Sequence, residues 1–231
     1  SIRIDSLIDL DGFPKAAQHF ISSIQNPVAD DPITLMVCQC FDCGLIQLKN
    51  DPVSYYKDVI TAASLSEASK KNLVDEWRPF IEEYTLAGKD AIEVGSGRGD
   101  FLEVLQRLNV NAYGIEHSSD NIKECKRKKL NVDKVYLTEL PESQKRKFPL
   151  VVCNNFLEHQ PKTKDYLSSL RDLVSDDGVI YISVPNVDYL LEKKCLYEFV
   201  ADHLVYFTEK TLRKALEING FNVIDLYKKN K

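Results

Sequence analysis

Two acidic residues lie close to a glycine-rich turn near the middle of the sequence. The stretch "EVGSGRG" (93–99) places Glu93 two residues before Gly95, and Gly97 follows two residues later. Glycines at a turn from a strand into a helix let a ligand approach the backbone closely. The dinucleotide-binding fingerprint requires a third glycine at position 100, but Asp100 stands there. An acidic side chain at this turn favours a ligand with a cationic group over a ligand with two phosphates.

A second carboxylate extends this candidate ligand site. Glu116 ends the stretch "NAYGIE" (111–116), and a carboxylate can accept hydrogen bonds from both hydroxyls of a ribose. A ligand with a ribose, no phosphate and a cationic end matches S-adenosylmethionine. The alternative is a turn that needs glycine for its backbone and a carboxylate on the surface. The combination of Glu93, two glycines and Glu116 favours ligand binding.

Two histidines occur in settings that suit proton transfer. The mostly apolar stretch "CLYEFVADHLVYFTE" (195–209) carries Asp202 and His203 at its centre, and His159 lies in "NNFLEHQ". Imidazole has an unperturbed pKa of about 6.5, which suits acid–base chemistry near neutral pH. The alternative for His203 is a core histidine with satisfied hydrogen bonds. For His159 it is a histidine bonded to a neighbouring carboxylate such as Glu158.

The neighbours of His203 indicate how its side chain would be held. Adjacent residues generally point in different directions, so Asp202 is poorly placed to orient His203 directly. If the segment turns helically, Tyr206 is the expected contact of His203, and Glu198 shares a face with Asp202. Apolar residues would anchor the segment, namely Phe199, Val200, Leu204, Val205 and Phe207.

A cysteine cluster near the start of the sequence is the candidate metal site. Cys40 and Cys43 form a Cys-x-x-Cys pair with the spacing of a zinc knuckle, and Cys38 or His19 could supply further ligands. A structural zinc site needs four ligands, of which one such pair supplies two. Ordinary reduced thiols are the alternative, and the single pair favours them.

An alternation of apolar strands and amphipathic helices must position these residues. A helix is predicted to begin in the capping-box spacing of Ser64 and Glu67 and to end at Gly88. The strands that follow are predicted at 90–95, 111–116, 134–139, 149–155, 178–185 and 222–229, and the helices at 99–109, 119–129, 164–174 and 208–221. This order predicts an α/β protein with a Rossmann-like, doubly wound, mostly parallel sheet, which binds ligands at the carboxyl ends of its strands.

Length and composition set the domain organisation. With 231 residues, 44% hydrophobic and 28% charged, the chain has room for one large globular domain and a small appendage. Residues 1–52 hold several prolines and the cysteine cluster but no long helical pattern. We therefore predict a small irregular N-terminal subdomain, 1–52, followed by the main domain, 53–231.

Charge and hydropathy exclude several classes of partner. The net charge of −5 argues against nucleic-acid binding, and the basic run "KECKRKK" (123–129) is interpreted as the solvated face of a helix. The sequence contains no apolar stretch of membrane-spanning length and no signal-peptide pattern. Six cysteines, three of them scattered, do not resemble a secreted disulfide scaffold, so we expect a reducing, cytoplasmic setting.

Four segments together resemble the class I S-adenosylmethionine-dependent methyltransferases, over roughly residues 70–225. They are "AIEVGSGRGDFLEVL", "AYGIEHS", "NNFLEH" and "GVIYISVPN", in this order. The resemblance implies a set of cofactor-binding residues, namely Glu93, Gly95, Ser96, Gly97, Glu116, Glu139 and Asn154. Within this set Gly95 and Gly97 would lie against the methionine part of the cofactor, and Glu116 would bind the ribose. Asn154 would lie near the methionine end, and Glu139 or its neighbours near the adenine.

Two further segments narrow the resemblance. "VCQCFDCGLIQL" and "YEFVADHLVYFT" look like parts of the zinc-binding-domain C-methyltransferases of deoxysugar pathways. That family implies C-methylation of a nucleotide-linked sugar, with Asp202 and His203 matching an active-site acid–histidine pair. His203 would remove the proton beside a carbonyl, and His159 would contact the acceptor or act as an auxiliary acid. The sequence departs from the family because it lacks a second Cys-x-x-Cys pair and has aspartate where glutamate is common, and it looks short at both ends.

Other functions compete with this interpretation. N- or O-methylation of a small molecule remains open, because the cofactor site does not select the acceptor. A nicotinamide-dependent oxidoreductase is disfavoured by Asp100, and a non-catalytic binding module by the intact acidic and glycine residues. We expect a small-molecule acceptor as the partner, with no nucleic acid or membrane. The methylated atom and the oligomeric state stay open.

Overall fold

The structure, a computed structural model, describes residues 3–15, 32–57 and 64–229. The strands are β1 (Ile4–Phe13), β2 (Ile33–Cys40), β3 (Ile46–Leu48), β4 (Asp90–Val94), β5 (Asn111–Glu116), β6 (Asn131–Lys134), β7 (Phe148–Asn154), β8 (Val174–Ser183) and β9 (Val205–Tyr206). The helices are α1 (Glu67–Glu83), α2 (Asp100–Arg107), α3 (Ser119–Arg127), α4 (Thr163–Leu173), α5 (Val187–Glu192) and α6 (Glu209–Ile218). None of the described helices is long and apolar enough to cross a membrane.

The chain divides into two compact units. The first unit comprises Ser1–Val59, Glu158–Lys164 and Val184–Lys231, and the second unit comprises Ile60–Leu157 and Asp165–Ser183.

A five-stranded parallel sheet forms the centre of the second unit, in the order β6-β5-β4-β7-β8. From β4 the chain winds outward through β5 to β6, then adds β7 and β8 on the other side of β4. The strand order therefore reverses between β4 and β7, which is where such sheets bind ligands at their carboxyl ends. Nearly every residue of β4 and β7 is buried, as expected for strands covered on both faces. The predicted Rossmann-like sheet is confirmed.

Aromatic side chains pack helices against this sheet. Trp77 of α1 lies with its ring centroid 4.7 Å from that of Phe101 of α2 and 4.6 Å from that of Tyr181 of β8. Tilted and edge-on contacts at such distances are favourable for aromatic pairs. These contacts hold α2, the helix that begins directly after the glycine turn, in place.

The first unit contains a four-stranded sheet in the order β1-β2-β3-β9, all antiparallel. The sequence alone predicts only an irregular subdomain for residues 1–52. The strands escaped notice because β1 is largely exposed and its register with β2 shifts twice, between Ser6 and Ile8 and between Leu10 and Phe13. Such irregularities break the strict alternation of apolar and polar residues that identifies a strand.

Two predicted strands are wrong. The strand expected at 134–139 lies at 131–134, because its ladder stops where Lys134 pairs with Glu116, the last residue of β5. Leu137–Glu139 then form a 3₁₀ turn. Residues 221–229 form neither helix nor strand. Their alternating apolar residues resemble a strand, but no described strand pairs with them, and Ile224 and Tyr227 are exposed.

Both predicted ends of the first helix also differ from the structure. The N-cap of α1 is Ser66, whose Oγ accepts a hydrogen bond from the Ser69 amide at 3.1 Å. Ser64 lies outside the helix and accepts a bond from Arg98. The helix ends at Glu83, because Thr85 adopts a left-handed φ of 51° before Gly88 is reached.

Candidate functional site

Glu93 places a buried carboxyl group near the end of β4, at the switch point of the second unit. Its side chain is 4% exposed, and Oε2 has no hydrogen-bond partner among the described residues. Burial raises the pKa of Glu93 well above its ordinary value, and a hydrogen bond from Asn154 offsets part of this effect. A cationic ligand group would supply the missing partner and stabilise the ionised form.

The glycine turn that follows β4 has open space at Gly97. Gly95 and Gly97 have left-handed φ values of 75° and 53°, which favour glycine. A Cβ added to Gly97 would meet no atom within 4 Å, whereas one at Gly95 would lie 3.2 Å from the Phe156 ring. Ser96 between them has a buried Oγ without a partner in the described parts of the chain. Open space and two orphaned polar atoms suit a small polar ligand.

Glu116 ends β5 and is engaged by the backbone around it. Its Oε2 accepts from the Gly97 amide at 2.7 Å, and its Oε1 accepts from the amides of His117 and Ser118 at 2.8 and 2.7 Å. Burial raises the pKa of Glu116, and these backbone bonds counteract the increase. A ribose hydroxyl that donates to this carboxylate would therefore share or replace one of these donors.

The remaining predicted cofactor residues differ in their setting. Asn154 ends β7, beside Glu93, and its Oδ1 accepts a hydrogen bond from Ser183, the last residue of β8, at 3.1 Å. The carboxyl ends of three neighbouring strands thus carry Glu93, Asn154 and Ser183. Glu139 is exposed in the 3₁₀ turn that follows β6. Its predicted position near the adenine stays a prediction.

An aromatic group that the sequence patterns do not indicate lies beside the glycine turn. Tyr136 is buried, and its ring centroid lies 6.0 Å from that of His117 and 6.2 Å from that of Phe156. Phe156 in turn packs against Gly95. In the sequence, Tyr136 is the aromatic residue of "KVYLTE", a stretch that is predicted to be a strand.

Asp100, the residue that breaks the dinucleotide fingerprint, has a structural role. Its Oδ1 lies 2.6 Å from Lys128 Nζ and 3.2 Å from Lys70 Nζ, and Glu103 contacts both lysines at 2.9 and 2.7 Å. Lys128 belongs to the basic run that was interpreted as solvated. That interpretation is wrong for Lys128, whose side chain is 17% exposed, and holds for Lys123, which is 75% exposed.

In the first unit, residues 158–160 and 202–204 lie side by side and bring the predicted catalytic residues together. The Leu204 amide donates to the Glu158 carbonyl oxygen at 2.8 Å, and His159 Nδ1 lies 2.8 Å from the Asp202 carbonyl oxygen. The rings of His159 and His203 meet edge to face, with centroids 4.7 Å apart. We call Glu158, His159, Asp202 and His203 the histidine cluster; each is at most 6% exposed.

Hydrogen bonds set the orientation of this cluster. A carbonyl oxygen only accepts, so His159 carries its proton on Nδ1 and a lone pair on Nε2. Its Nε2 lies 3.9 Å from Glu158 Oε1, too far for a hydrogen bond. Asp202 Oδ1 accepts from the Tyr55 hydroxyl at 2.6 Å.

Tyr206 and the apolar residues hold the segment as extended and turn structure rather than as a helix. Tyr206 has its ring centroid 6.0 Å from that of His203, while its hydroxyl donates to the Val200 carbonyl oxygen at 3.2 Å. Of the predicted apolar anchors, Val200 is half-buried and the other four are buried, namely Phe199, Leu204, Val205 and Phe207.

Burial dominates the ionisation of the cluster. It raises the pKa of Glu158 to about 8 and lowers that of His159 to about 4. Burial and the neighbouring His159 lower the pKa of His203 to about 3. Both imidazoles are therefore neutral near pH 7, and each has a lone pair on one ring nitrogen.

Comparisons with known proteins agree with the geometry of the second unit. A family model described as "Methyltransferase domain" matches residues 67–226. The chain belongs to this family. The prediction of a class I S-adenosylmethionine-dependent methyltransferase domain is thereby confirmed.

Relatives of this methyltransferase domain are similar over part of its length. A ubiquinone biosynthesis O-methyltransferase of Methylococcus capsulatus is 31% identical over 114 residues, covering 46% of this chain and 48% of the relative. One from Dechloromonas aromatica is 29% identical and covers 44% and 47%. The chain thus spans about half the length of these relatives. Neither of these two relatives is a sugar C-methyltransferase, so they do not support that resemblance.

Solved structures share the fold. A SAM-dependent methyltransferase of Archaeoglobus fulgidus superposes with a TM-score of 0.55 at 26% identity, covering 67% of this chain and 70% of that one. One from Clostridium acetobutylicum gives a TM-score of 0.56 at 17% identity, with 69% and 83% covered. At such low identity the second likeness concerns the fold alone.

Within the described residues, Cys40 and Cys43 belong to no group of three or more side chains placed to hold a metal ion. Cys40 Sγ accepts a hydrogen bond from the Cys43 amide at 3.3 Å, and burial raises the pKa of Cys43. His19 lies outside the described residues, so its part as a ligand is not described. Across the described ranges, the only group of three or more side chains placed to hold a metal is Glu158, His159 and His203. Zinc at Cys40 and Cys43 stays a prediction.

Proposed function

We propose that this chain transfers a methyl group from S-adenosylmethionine to a small polar acceptor. The observation that supports the proposal is the buried Glu93 carboxyl group in β4, just before the glycine turn, whose Oε2 has no hydrogen-bond partner among the described residues. Bound S-adenosylmethionine would supply the activated methyl group on its sulfonium, and its methionine end carries an ammonium group. We assign that end to Glu93, Gly95 and Ser96, and the ribose hydroxyls to Glu116.

The remaining cofactor assignments follow from the strand ends. Asn154 bonds to Glu93 and so can orient its carboxylate toward the methionine end. Glu139 or its neighbours would lie near the adenine. The aromatic ring of Tyr136 is a second feature that suits a flat base.

The histidine cluster is proposed to act on the acceptor. Methylation of a carbon or of a hydroxyl oxygen requires that the acceptor lose a proton. A neutral imidazole can take that proton, and His203 is our candidate because it matches the active-site histidine implied by the sequence resemblance. Burial lowers the pKa of His203 to about 3, so the proposal requires that the negative charge forming on the bound acceptor raise this pKa during proton transfer. Asp202 positions His159 through its carbonyl oxygen, and His159 would contact the acceptor.

Two classes of acceptor are candidates. The resemblance of "YEFVADHLVYFT" favours C-methylation of a nucleotide-linked sugar, through an enolate formed when His203 removes a proton beside a carbonyl. The relatives that are ubiquinone biosynthesis O-methyltransferases favour a hydroxyl oxygen as the methyl acceptor. In both classes the acceptor gives up a proton and gains the methyl group.

Cofactor choice is tested by thermal shift with S-adenosylhomocysteine, NAD and NADP. We expect only S-adenosylhomocysteine to raise the melting temperature, since a specific ligand stabilises the folded state by mass action. Stabilisation by NAD or NADP alone would refute the proposal.

The acceptor class is tested by mass spectrometry of products. The chain is incubated with S-adenosylmethionine carrying a deuterated methyl group and with sugar nucleotides or phenols. Fragmentation then assigns the label to carbon or to oxygen. Cofactor binding without labelled product from any ionisable acceptor would contradict the proposed transfer.

A further inference from the structure

Three buried side chains of the first unit point metal-binding atoms toward one another. One ligand atom each from Glu158, His159 and His203 lie within 4.8 Å of one another. Two imidazoles and one carboxylate are the donor set of many zinc and iron sites.

One oxygen of the buried Glu158 carboxyl group lacks a hydrogen-bond partner. It is 2% exposed, and its Oε2 has no hydrogen-bond partner among the described residues. A buried polar atom without a partner is costly, and buried charges are usually paired or bound to a metal. None of the lysines or arginines in the described ion pairs contacts Glu158.

His159 is held as metal-ligating histidines usually are. Its Nδ1 donates to the Asp202 carbonyl oxygen at 2.8 Å, so the Nε2 lone pair faces away from that bond. A backbone carbonyl on the second ring nitrogen fixes both the tautomer and the direction of the ligating nitrogen. Tyr55 bonds the Asp202 side chain at 2.6 Å and so steadies the residue that supplies this carbonyl.

We infer that Glu158, His159 and His203 bind a divalent transition-metal ion of the zinc class. Zinc binds nitrogen and oxygen at about 2.0–2.2 Å, so its ligand atoms lie roughly 3.3 Å apart. The present separations must therefore shorten when the ion enters. Rotation of the Glu158 side chain, whose Oε2 is uncommitted, supplies part of this movement. A site that closes around its ion binds less tightly than a preformed one.

The site has a consequence that rests on the proposed function. A lone pair on His203 cannot hold a metal and accept a proton at the same time. Metal binding should therefore inhibit methyl transfer reversibly, and a chelator should restore it. Metal binding itself depends only on the cluster and not on the proposed reaction.

Cobalt(II) is the probe for this site, because its visible spectrum reports ligand type and geometry. The full chain is stripped with a chelator, freed of it, and titrated with Co²⁺. We expect one equivalent to produce visible bands of a four- or five-coordinate site without the intense near-ultraviolet band of thiolate ligation. Glu158→Gln and His203→Gln should each weaken Co²⁺ binding by at least roughly 10-fold. Glu158→Gln nearly preserves volume, and its melting curve reports whether folding is retained.

Two controls separate this site from others. His117→Gln, in the second unit, and the double variant Cys40→Ser with Cys43→Ser should retain the spectrum. A thiolate band that disappears in the double cysteine variant, or binding unchanged in Glu158→Gln, would overturn the inference.

Calorimetry with S-adenosylhomocysteine on the same samples tests the cofactor site separately. Metal binding without cofactor binding would refute the proposed function and support the metal site. Cofactor binding without cobalt binding would refute the metal site and leave the proposed function standing.

Discussion

Glu93, near the end of β4, has a buried carboxyl group, and burial disfavours its ionised form. The stability of the protein should therefore depend on pH through this residue. Its pKa in the folded chain is raised well above that of an unfolded carboxyl group, about 4.3. A raised pKa stabilises the fold at low pH, and this stability is lost as pH rises through the folded pKa. Glu93→Gln has no proton to lose, so its stability relative to the parent should increase as the pH rises above the pKa of an unfolded carboxyl group.

Denaturant unfolding at several pH values measures this difference. The same variant should bind S-adenosylmethionine roughly 10- to 100-fold more weakly, because a charged hydrogen bond contributes about 1–3 kcal/mol. Gain of stability with unchanged cofactor affinity would remove Glu93 from the site.

Gly97 offers a second test at the residue scale, with Gly88 as its matched control. Both have left-handed φ values, 53° and 76°, and at both an added Cβ meets no protein atom within 4 Å. Gly97→Ala and Gly88→Ala should therefore each lower the free energy of unfolding by about 1–2 kcal/mol through backbone strain. Only Gly97→Ala should weaken S-adenosylhomocysteine binding in calorimetry, since its Cβ would occupy cofactor space. Equal affinities in the two variants would contradict this.

Among the elements, periodicity identified the strands that are buried and continuous and missed those that are not. β4, β5 and β7 are mostly apolar and mostly buried, so their strand character and their shared edge could be predicted from sequence. β1 could not, because its register shifts and its exposure erase the alternation. The end of β6 depends on where its partner β5 stops, which is tertiary information. The candidate cofactor residues follow from strand ends, whereas the Asp100 network and Tyr136 depend on contacts between elements.

The ion network tests how α1 and α2 are joined in the second unit. Lys70 of α1 is 7% exposed at its side chain and contacts Asp100 and Glu103 of α2. Lys70→Met would leave two acids with one lysine, and removing one partner of a buried pair costs about 3 kcal/mol. The control is Lys123→Met, whose exposed pair with Asp120 is screened by solvent, so this variant should keep the denaturation midpoint of the parent. Equal denaturation midpoints for the two variants would show that the network is not stabilising.

On the scale of the whole molecule, the proposed tasks are divided between the two units. The proposed cofactor residues belong to the second unit, and the histidine cluster belongs to the first unit. Sequence analysis predicted a boundary at residue 52, and this division into domains stays a prediction. Contacts instead group the N-terminal strands with residues 158–164 and 184–231, a long-range association that local sequence patterns do not reveal.

This division predicts that cofactor binding and turnover can be separated by mutation. His203→Ala should retain S-adenosylhomocysteine affinity and lose turnover by roughly 10²-fold or more, as removal of a general base should. The matched control is Glu116→Ala, which removes the acceptor of the ribose hydroxyls and should lose about 1–3 kcal/mol of cofactor affinity. Calorimetry gives the affinities, and product formation under saturating cofactor gives the turnover. Parental turnover in His203→Ala would assign this histidine to the core and favour N-methylation, because an amine that is already neutral needs no base.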